Sequence, residues 1–479
     1  MFWTLENFRK VLAGTWLAKP KGPPAHPIEG VSIDSRSIRP GQVFFALKGE
    51  THDGHAYLSQ AAEAGASVLI IESGDAVPVG FAVNFPETAI LRVGSTRRAM
   101  GQLALAYRRS FDSLRVIAVT GSNGKTTTVR LIDSVLGRRF RGRASIKSYN
   151  NDIGVPLTIF SARAGDQYLI CEVGMNAPGE IAPLARMIEP DIVVLTSIGR
   201  AHLEAFEDES GIVREKASLL SFIRPNGLAV VTADCPQLDP YLKPVPNVVL
   251  FGRSERADLR LTAAKHIGTP PSGLRFTIND RVTHEVALLG EHNALNAMAA
   301  VAVGRRLGLE EGEIAEGLAS AAGPDMRFRR GLVGGIDLFN DAYNSSPESA
   351  LAAVQTFANL TEGSDRRVVV LGDMRELGRH AESAHKELGD SLVEWFGPAR
   401  AALDLLITVG PHAALAAEPV ERMCPRTEVV RVSGTEPNDV ERVLGMLQPG
   451  DAVLLKGSRS VGLDRIAEAL ARSEPATTD

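Results

Sequence analysis

One segment limits the fold of this chain more than any other. The apolar run RVIAVT, which begins at Arg115, leads into the loop GSNGKTTT and then into the helical pattern VRLIDSVL. A buried strand, a glycine-rich loop and a helix in this order are typical of a phosphate-binding loop in a parallel α/β sheet. The spacing departs from the usual Walker A pattern, because Val119 stands where that pattern has its first glycine and Gly121 lies only three residues before Gly124.

The shortened loop retains all the groups that are needed to bind a phosphate. Gly121 and Gly124 let backbone N–H groups approach an anion closely, and the start of the helix adds about half a positive charge. Lys125 supplies a mobile cation for the β- and γ-phosphates, and the Thr126 hydroxyl is a ligand for Mg²⁺. The alternative is a glycine-rich strand-to-helix turn without a ligand. We predict a nucleotide site, whose remaining loop residues are Ser122, Asn123 and Thr127.

Strands alternate with helical patterns on both sides of this loop. Short apolar runs such as VFFAL, SVLIIE and AILRV precede it, and YLICEV, DIVVLTSI and GLAVVTA follow it. Beyond the segment AAGPDMRFRRG the alternation resumes with RVVVLGD, DLLITVG and DAVLLKG. A chain of 479 residues has room for about three domains. We therefore predict an α/β protein with a small N-terminal α/β domain (1–112), a central doubly wound parallel sheet carrying the P-loop (113–323) and a C-terminal Rossmann-like domain (324–479).

Composition argues against several classes of protein. The 52 basic and 57 acidic side chains give a net charge of -5, which does not suit a nucleic-acid binder that relies on a basic surface. The three cysteines form no C-x-x-C pair, so no disulfide framework is expected and a reducing cytoplasm is favoured. The N-terminal MFWTLENFRKVLAG indicates a short amphipathic helix, no apolar run is long enough to span a membrane, and the polar tail RSEPATTD is expected to fray.

The phosphate loop resembles the variant loop of the Mur ligase family, G-T-x-G-K-[ST]-[ST]. The resemblance extends through almost the whole chain, and the other motifs of the family follow in the expected order. Enzymes of this family form amide bonds on peptidoglycan precursors at the expense of ATP. The resemblance therefore implies that ATP and Mg²⁺ are the cofactors and that the chain is a monomer.

Three side chains join Thr126 as candidate metal ligands. Glu172 ends the run YLICE at the sheet edge where the loop lies, and a carboxylate there suits Mg²⁺, although it could instead cap the next turn. His202 and Lys216 carry no strong signal alone, and the helical pattern around Lys216 favours a solvent-exposed side chain. The resemblance implies that His202 assists a second Mg²⁺ and that Lys216, as a neutral amine, takes up CO₂ to become an anionic carbamate ligand. Lys125, His202 and Lys216 are the predicted catalytic residues.

The resemblance also assigns contacts to the adenosine part of ATP. Asn293 and Asn296 lie three residues apart on one helical face and match a G-x-[HF]-N-x-x-N motif of the family. Their carboxamides offer donors and acceptors to adenine, although a helix cap or an exposed polar face would explain them without a ligand. The segment LFNDAYNSSPESA matches a family segment that contacts ribose and adenine, which implies roles for Asp341, Tyr343 and Asn344.

An arginine at the start of the last domain is expected to face the phosphates. In MRFRRG we select Arg327 over Arg329 and Arg330, because it matches the hinge arginine of the family. A guanidinium steadies charge on a transferred phosphoryl group. Further along, Ser346 is predicted to cap a helix whose first residue is Pro347.

The segment DSRSIRPGQVFFALKGETHDGHAYL resembles the uridine-nucleotide module of these ligases. Turn formation alone would account for its D-S-R and D-G pairs. The segment SYNNDIGVPLT adds two amides, expected near the peptide-bearing substrate. The resemblance thus implies a substrate site formed by Ser35, Arg36, Thr51, Asp53, Gly54, His55, Asn150 and Asn151.

Four further segments indicate which reaction of the family is expected: YNNDIGVPLT, EVGMNAPGEI, LGDMRELG and KGSRSVGLDRI. They imply a ligase that joins D-alanyl-D-alanine to the peptide carboxylate of UDP-N-acetylmuramoyl-tripeptide through an acyl phosphate. The third residue of that peptide, meso-diaminopimelate or lysine, stays open. One alternative is a superfamily ligase of the folylpolyglutamate synthase type, against which the uridine-like module argues. Another is a P-loop switch or transport ATPase, which gives no reason for the Asn, Tyr and Asp cluster.

Overall fold

Three sheets follow one another along the chain. The structure, a computed structural model, describes residues 2–20, 22, 26–270, 272–397 and 402–472. Within these residues the sheets have five, nine and six strands, with helices between most strands, as the alternation predicted. The polar tail at 473–479, expected to fray, lies outside the described residues. None of the helices in the described ranges is long and apolar enough to cross a membrane.

The first sheet has the order β1-β5-β4-β3-β2, with β1 antiparallel to β5 and the other neighbours parallel. The predicted N-terminal amphipathic helix is present: Thr4 caps it, and Phe8 and Leu12, four residues apart on one face, are buried. The elements of this domain are α1 (Leu5–Leu12), β1 (Thr15–Ala18), β2 (Val31–Ser32), β3 (Val43–Phe45), α2 (Leu58–Glu63), β4 (Val68–Ile71), α3 (Phe81–Asn84), β5 (Ala89–Arg92) and α4 (Thr96–Arg109).

The second sheet has the order β14-β13-β12-β11-β10-β9-β6-β8-β7. The six strands β6 to β11 are parallel to their neighbours. Its elements are β6 (Arg115–Thr120), α5 (Lys125–Leu136), β7 (Gly142–Ala144), α6 (Gly154–Phe160), β8 (Tyr168–Glu172), α7 (Ile181–Ile188), β9 (Ile192–Leu195), α8 (Glu209–Ala217), β10 (Leu228–Thr232), α9 (Asp239–Leu242), β11 (Val248–Gly252), β12 (Leu259–Ile267), β13 (Gly273–Ile278), β14 (Val282–Val286), α10 (His292–Arg306) and α11 (Glu311–Ala319).

The antiparallel extension β12–β14 is a part of this sheet that the sequence analysis did not identify. Its signal was present, because Asn279 and Asp280, both with positive φ, join two runs that alternate between buried and exposed residues. Adjacent Asn and Asp residues favour the tight turn of a β-hairpin. The central sheet is therefore doubly wound, with seven mutually parallel strands from β6 to β12, and antiparallel at the edge where β12, β13 and β14 pair.

Strand β6 lies between β8 and β9, and alternate side chains enter different cores. Val116 and Ala118 pack into one apolar cluster, and Ile117 and Val119 into another on the opposite face. Helices cover both faces, which is the arrangement that a continuous apolar run predicts. Strands β7 and β8 lie to one side of β6 in the strand order, and β9 lies to the other. The phosphate loop, which follows the C-terminal end of β6, therefore lies at a topological switch point.

The cluster containing Val116 also contains Phe8, Val43 and Leu91 of the N-terminal domain. The first two domains therefore share a hydrophobic core. Arg108 of α4 reinforces this contact from a buried position, since its guanidinium donates to Ile188 O (3.1 Å), Glu189 O (3.2 Å) and Asp191 Oδ2 (3.2 Å).

The third sheet has the order β15-β16-β20-β17-β18-β19, parallel except for β15. Ser346 caps α12 and Pro347 is its first residue, as predicted. The two predicted domain boundaries fall in the links between α4 and β6 and between α11 and β15. The elements are β15 (Arg329–Val333), β16 (Ile336–Asp341), α12 (Pro347–Leu360), β17 (Arg366–Gly372), α13 (Ala381–Phe396), β18 (Leu405–Val409), α14 (Ala417–Met423), β19 (Glu428–Val432), α15 (Pro437–Leu444), β20 (Asp451–Lys456) and α16 (Asp464–Arg472).

We expect Arg108→Ala to destabilise the protein by about 3 kcal/mol, because the buried ion pair with Asp191 is broken and the Ile188 and Glu189 carbonyls lose the donor that Arg108 supplies. The neighbouring Arg109→Ala is the matched control: Arg109 is exposed and pairs with Glu189 on the surface, so its loss should cost less than about 1 kcal/mol. Urea unfolding followed by circular dichroism measures both. Equal midpoints for the two variants would contradict the structural role of Arg108.

Candidate active site

A cavity of about 1160 Å³ lies between the central and C-terminal domains. The C-terminal ends of β6, β8 and β9 form one wall, and the segments after β16 and β20 form the other. Gly121, Thr126 and Lys216 lie directly behind the surface, in contact with lining residues. The predicted residues that line the cavity are Ser122, Asn123, Gly124, Lys125, Thr127, Asn150, Asn151, Glu172, His202, Asn293, Asn296, Arg327, Asp341, Tyr343 and Asn344.

Both the backbone conformation and the close packing of the phosphate loop require glycine at two of its positions. Gly121 has φ 152° and Gly124 has φ 82°. A Cβ atom at Gly121 would lie 2.0 Å from Thr196 Oγ1, and one at Gly124 would lie 2.3 Å from Asn296 Oδ1. The shortened spacing thus fits a loop that packs tightly between β9 and α10.

Lys125 begins α5, as predicted, and its Nζ donates to Gly121 O (2.7 Å) and Ser122 O (3.3 Å). Burial lowers the pKa of this ammonium group, and the nearby Glu172 carboxylate opposes that change. The side chain folds back over the loop, at the place where an anion bound by the loop would lie.

Glu172, at the end of β8, is almost fully buried and both of its carboxylate oxygens accept hydrogen bonds. Thr126 Oγ1 donates to Oε2 (2.8 Å) and Asn150 Nδ2 donates to Oε1 (2.9 Å). A buried carboxylate beside a hydroxyl is an oxygen pair that suits Mg²⁺. Within the described ranges, no three His, Cys, Asp or Glu side chains come together as a metal site. A cation here would therefore depend on these oxygens together with those of a bound phosphate.

Lys216 corrects the expectation of an exposed lysine. Its side chain is 1% exposed, and its Nζ donates to Gly121 O (3.3 Å), the carbonyl that also accepts from Lys125. The cause is the packing of α8, whose Ile212 and Val213 are buried beside it. Desolvation, followed by the charge of Lys125, lowers the pKa of Lys216 well below its ordinary value. The neutral amine is therefore favoured.

His202 lies in the loop after β9 with φ 64°. Its Nδ1 is 2.5 Å from Glu376 Oε2 of the C-terminal domain, and this close contact lowers the pKa of the glutamate. The structure thus brings His202 to the cavity wall, where its close contact is with Glu376 and not with Glu172 or Thr126.

The C-terminal wall reaches the phosphate loop through Arg327. Its Nη2 donates to Thr126 Oγ1 (3.1 Å), and its guanidinium lies 4.2 Å from the centre of the Tyr343 ring. The two neighbouring arginines point elsewhere, since Arg329 pairs with an exposed aspartate and Arg330 pairs with Asp337 at 2.7 Å. The geometry therefore favours Arg327, the arginine selected from the sequence.

Lys456 is a cavity residue that the sequence analysis missed. It ends β20, is 2% exposed, and its Nζ contacts Asp341 Oδ2 (2.8 Å) and Asn344 O (2.8 Å). Asp341 Oδ1 also accepts from the Phe328 N–H (3.0 Å). The available signal was a lysine at the C-terminal end of an apolar strand, DAVLLK, where a buried charge needs a partner.

The two asparagines of α10 are bonded to each other and to the protein. Asn293 Nδ2 donates to Leu289 O (2.7 Å), and Asn296 Nδ2 donates to Asn293 Oδ1 (2.9 Å). Asn296 Oδ1 accepts from Thr128 Oγ1 (3.3 Å). They share one helical face, as predicted, and Asn296 also packs against Gly124. Contact with adenine stays a prediction.

The candidate uridine-binding residues form local turns that do not line the cavity. Ser35 donates to Gln60, Asp53 caps a short 3₁₀ turn and bonds His55 Nδ1 (2.6 Å), and Gly54 has no room for a Cβ atom beside Leu47 N. Substrate binding by these residues stays a prediction. The remaining two, Arg36 and Thr51, contact their sequence neighbours Asp34 and His52.

The N-terminal domain instead reaches the cavity through Glu50 and Arg97. Arg97 Nη1 is 2.8 Å from Asp152 Oδ2 of the central domain. Asn151, beside Asp152, accepts a hydrogen bond from the Gly154 N–H (2.9 Å) at the start of α6. Sequence analysis had no signal for Arg97, whose role depends on a contact between domains.

Three family models match successive parts of the chain. They are the Mur ligase family catalytic domain over residues 27–108, the Mur ligase middle domain over 119–304, and the Mur ligase glutamate ligase domain over 326–459. Together they cover most of the sequence, in the order of the three sheets. The chain belongs to the Mur ligase family. The resemblance read from the phosphate loop is confirmed.

This Mur ligase is similar over its whole length to characterised relatives. It is 34% identical to UDP-N-acetylmuramoyl-tripeptide–D-alanyl-D-alanine ligase of Bacillus subtilis, over 98% of both chains. A crystal structure of MurF from Acinetobacter baumannii superimposes with a TM-score of 0.84 at 29% identity, covering 98% of this chain and 99% of that one. The MurF ligase of Thermotoga maritima in complex with ADP gives a TM-score of 0.76 at 27% identity, over 93% and 97%.

We expect Gly124→Ala to weaken ATP binding by this Mur ligase about tenfold or more, because the added Cβ atom meets Asn296 Oδ1 and the positive φ becomes strained. Isothermal titration calorimetry measures the affinity. Gly165→Ala is the matched control, since Gly165 has φ 87° but open space around it. ATP affinity that is unchanged in Gly124→Ala would contradict a phosphate site at this loop.

Proposed function

We propose that this chain is an ATP-dependent ligase that joins D-alanyl-D-alanine to the peptide carboxylate of UDP-N-acetylmuramoyl-tripeptide. The observation that carries the proposal is the match to the Bacillus subtilis ligase of that name along 98% of both chains. The subtype segments around Asn150, Met175 and Asp373 support the same reaction. Similarity to a folylpolyglutamate synthase at 18% identity supports the common fold alone.

ATP is the substrate that the phosphate loop is proposed to hold. The backbone of residues 121–127 and the start of α5 bind the β- and γ-phosphates, and Lys125 swings from its carbonyl partners to the transferred phosphoryl group. Arg327 approaches the same group from the opposite wall, because it already contacts Thr126. Asn293, Asn296, Asp341, Tyr343 and Asn344 are proposed to hold the adenosine.

Mg²⁺ fits the oxygen atoms of Thr126 and Glu172, with His202 and Lys216 as further candidate ligands. A bound Mg²⁺ would neutralise charge on the phosphates and orient them. Lys216 would contribute as a carbamate: its neutral amine attacks CO₂, an N–C bond forms, and the amine proton leaves to water. The lowered pKa of Lys216 favours the required neutral form.

The proposed chemistry has two steps. In both of them the negative charge of the phosphate groups must be screened by nearby cations. The tripeptide carboxylate attacks the γ-phosphorus, and the bond between that phosphorus and the β-phosphate oxygen breaks. ADP departs, and the tripeptide now carries an acyl phosphate. The neutral amine of D-alanyl-D-alanine then attacks the acyl carbon, loses its proton and expels phosphate. Lys125 and Arg327 face the phosphoryl group from two sides, which stabilises the charge that develops there.

Closure of the C-terminal domain would protect the acyl phosphate from water. In the structure this domain contacts the phosphate loop through Arg327 and through Ser346 Oγ, which donates to Asn123 Oδ1 at 3.0 Å. We propose that the N-terminal residues Ser35 to His55 bind the uridine nucleotide and that Asn150 and Asn151 lie near the peptide. The three domains are proposed at 1–112, 113–323 and 324–479, in a monomer. The three free, buried cysteines support a reducing cytoplasm.

The test is phosphate release with UDP-linked tripeptides ending in meso-diaminopimelate or lysine, each with and without D-alanyl-D-alanine. We expect release to require both the carboxylate and the amine substrates, and Lys125→Ala to slow it about 100-fold or more. Mass spectrometry of the UDP-pentapeptide product checks the coupling. Nucleotide hydrolysis without either substrate, at the full rate, would instead indicate a switch or transport ATPase.

We also expect activity to depend on CO₂. Wild-type enzyme prepared in CO₂-free buffer should lose most of its rate and regain it when bicarbonate is added, because the Lys216 carbamate dissociates. Lys216→Met should be inactive in both buffers while keeping its melting temperature within a few degrees. Identical wild-type rates with and without bicarbonate, together with no carbamate signal in the ¹³C NMR spectrum of enzyme supplied with ¹³C-bicarbonate, would overturn the carbamate role.

A further inference from the structure

Arg200 occupies the junction between the phosphate loop and the C-terminal domain. It follows Gly199, whose backbone exchanges two hydrogen bonds with Ser122: Ser122 Oγ donates to Gly199 O (3.0 Å) and accepts from the Gly199 N–H (2.9 Å). These two bonds tie the phosphate loop at Ser122 to the residue directly before Arg200.

The Arg200 side chain crosses to the C-terminal domain and contacts two carboxylates there. Its Nε donates to Glu348 Oε1 (2.9 Å), and its two terminal nitrogens donate to both oxygens of Glu387 (2.7 and 3.1 Å). The Arg200 N–H also donates to both Glu348 oxygens, at 3.2 and 3.3 Å. Most surface ion pairs contribute little to stability, but bidentate arginine–carboxylate pairs within a charge network contribute a measurable free energy.

One of the two partners of Arg200 lies on a helix that faces ATP in the proposed site. Glu348 lies in the first turn of α12, two residues after Ser346, which contacts Asn123 of the loop. Glu387 lies on α13, outside the cavity wall. Arg200 itself does not line the cavity, whereas its neighbours Ala201 and His202 do. Its effect on a bound substrate must therefore pass through other groups.

We propose that Arg200 is a positioning residue that couples closure of the C-terminal domain to the phosphate loop. The three ion contacts hold α12 and α13 against the loop after β9, and this placement brings Arg327 to Thr126 and Ser346 to Asn123. Without Arg200 a smaller fraction of molecules is closed, and substrates that need the closed state bind with an affinity reduced by that fraction. The inference rests on the proposed ligase function only for its activity readout.

The first measurement is independent of catalysis. Small-angle X-ray scattering of the full chain is recorded with and without adenylyl-imidodiphosphate, a non-hydrolysable ATP analogue. We expect wild type with the analogue to be compact and Arg200→Ala with the analogue to have a larger radius of gyration. Arg275→Ala is the control, because Arg275 makes a similar pair with Glu285 inside one domain. Identical scattering of wild type and Arg200→Ala would overturn the proposal.

The second measurement separates an effect on closure from direct binding. We expect Arg200→Ala to lower kcat/KM for D-alanyl-D-alanine about five- to tenfold, with partial recovery in Arg200→Lys. In a Glu387→Gln background the same change should cost no more than about threefold, because the Glu387 pair is already broken and only the Glu348 pair is still lost. Full additivity of Arg200→Ala and Glu387→Gln would overturn the coupling. If the wild-type enzyme forms no amide, the proposed function is refuted. The scattering measurement still tests the role of Arg200 in domain closure, because it does not depend on catalysis.

Discussion

Two lysine side chains share one backbone carbonyl, Gly121 O, at the tip of the central sheet. Lys125 and Lys216 reach it from different helices, and the glycine at this position has no space for a side chain. Burial first, and then the nearby charge of Lys125, lower the pKa of Lys216, because two cations so close together in a buried site would repel each other. An anion bound at the loop relieves this repulsion, which is why the rest of the proposed site is arranged around the phosphates.

The site is complete only where two domains meet. The central domain supplies the phosphate loop, Glu172 and the loop with His202, whereas the C-terminal domain supplies Arg327, Glu376 and the Asp341–Lys456 pair. Arg327 and Glu376 find partners across the gap, in Thr126 and His202, whereas Glu172 and the Asp341–Lys456 pair are satisfied within their own domains. The same contacts that close the cavity therefore also satisfy its charges, and domain position and electrostatics are set together.

Local sequence signals predicted the fold and the phosphate loop, because they depend on short-range order. The strand before Gly121, the helix from Lys125 and the cap at Ser346 all follow from residues within a few positions of one another. Glu172 was found for the same reason, as the end of an apolar strand. The short strands β7 and β11 and the β12–β14 hairpins were not identified, although Asn279 and Asp280 marked the turn between β13 and β14.

Features that depend on burial or on contacts between domains could not be predicted. Lys216 is typical of an exposed helical lysine in sequence, and only the packing of α8 removes it from water. The contacts that Arg97, Arg200 and Glu376 make between domains likewise cannot be predicted from the residues around them in the sequence.

The continuous core between the first two domains has a further consequence. Since Phe8, Val43 and Val116 belong to one apolar cluster, the N-terminal sheet and the phosphate loop are held at a fixed separation. In the proposed function the substrate is anchored by its nucleotide on the N-terminal domain, and its reactive end then lies at a distance set by its own length. The shared core then acts as a ruler: a peptide one residue too short or too long would miss the phosphoryl group without meeting any side chain that rejects it.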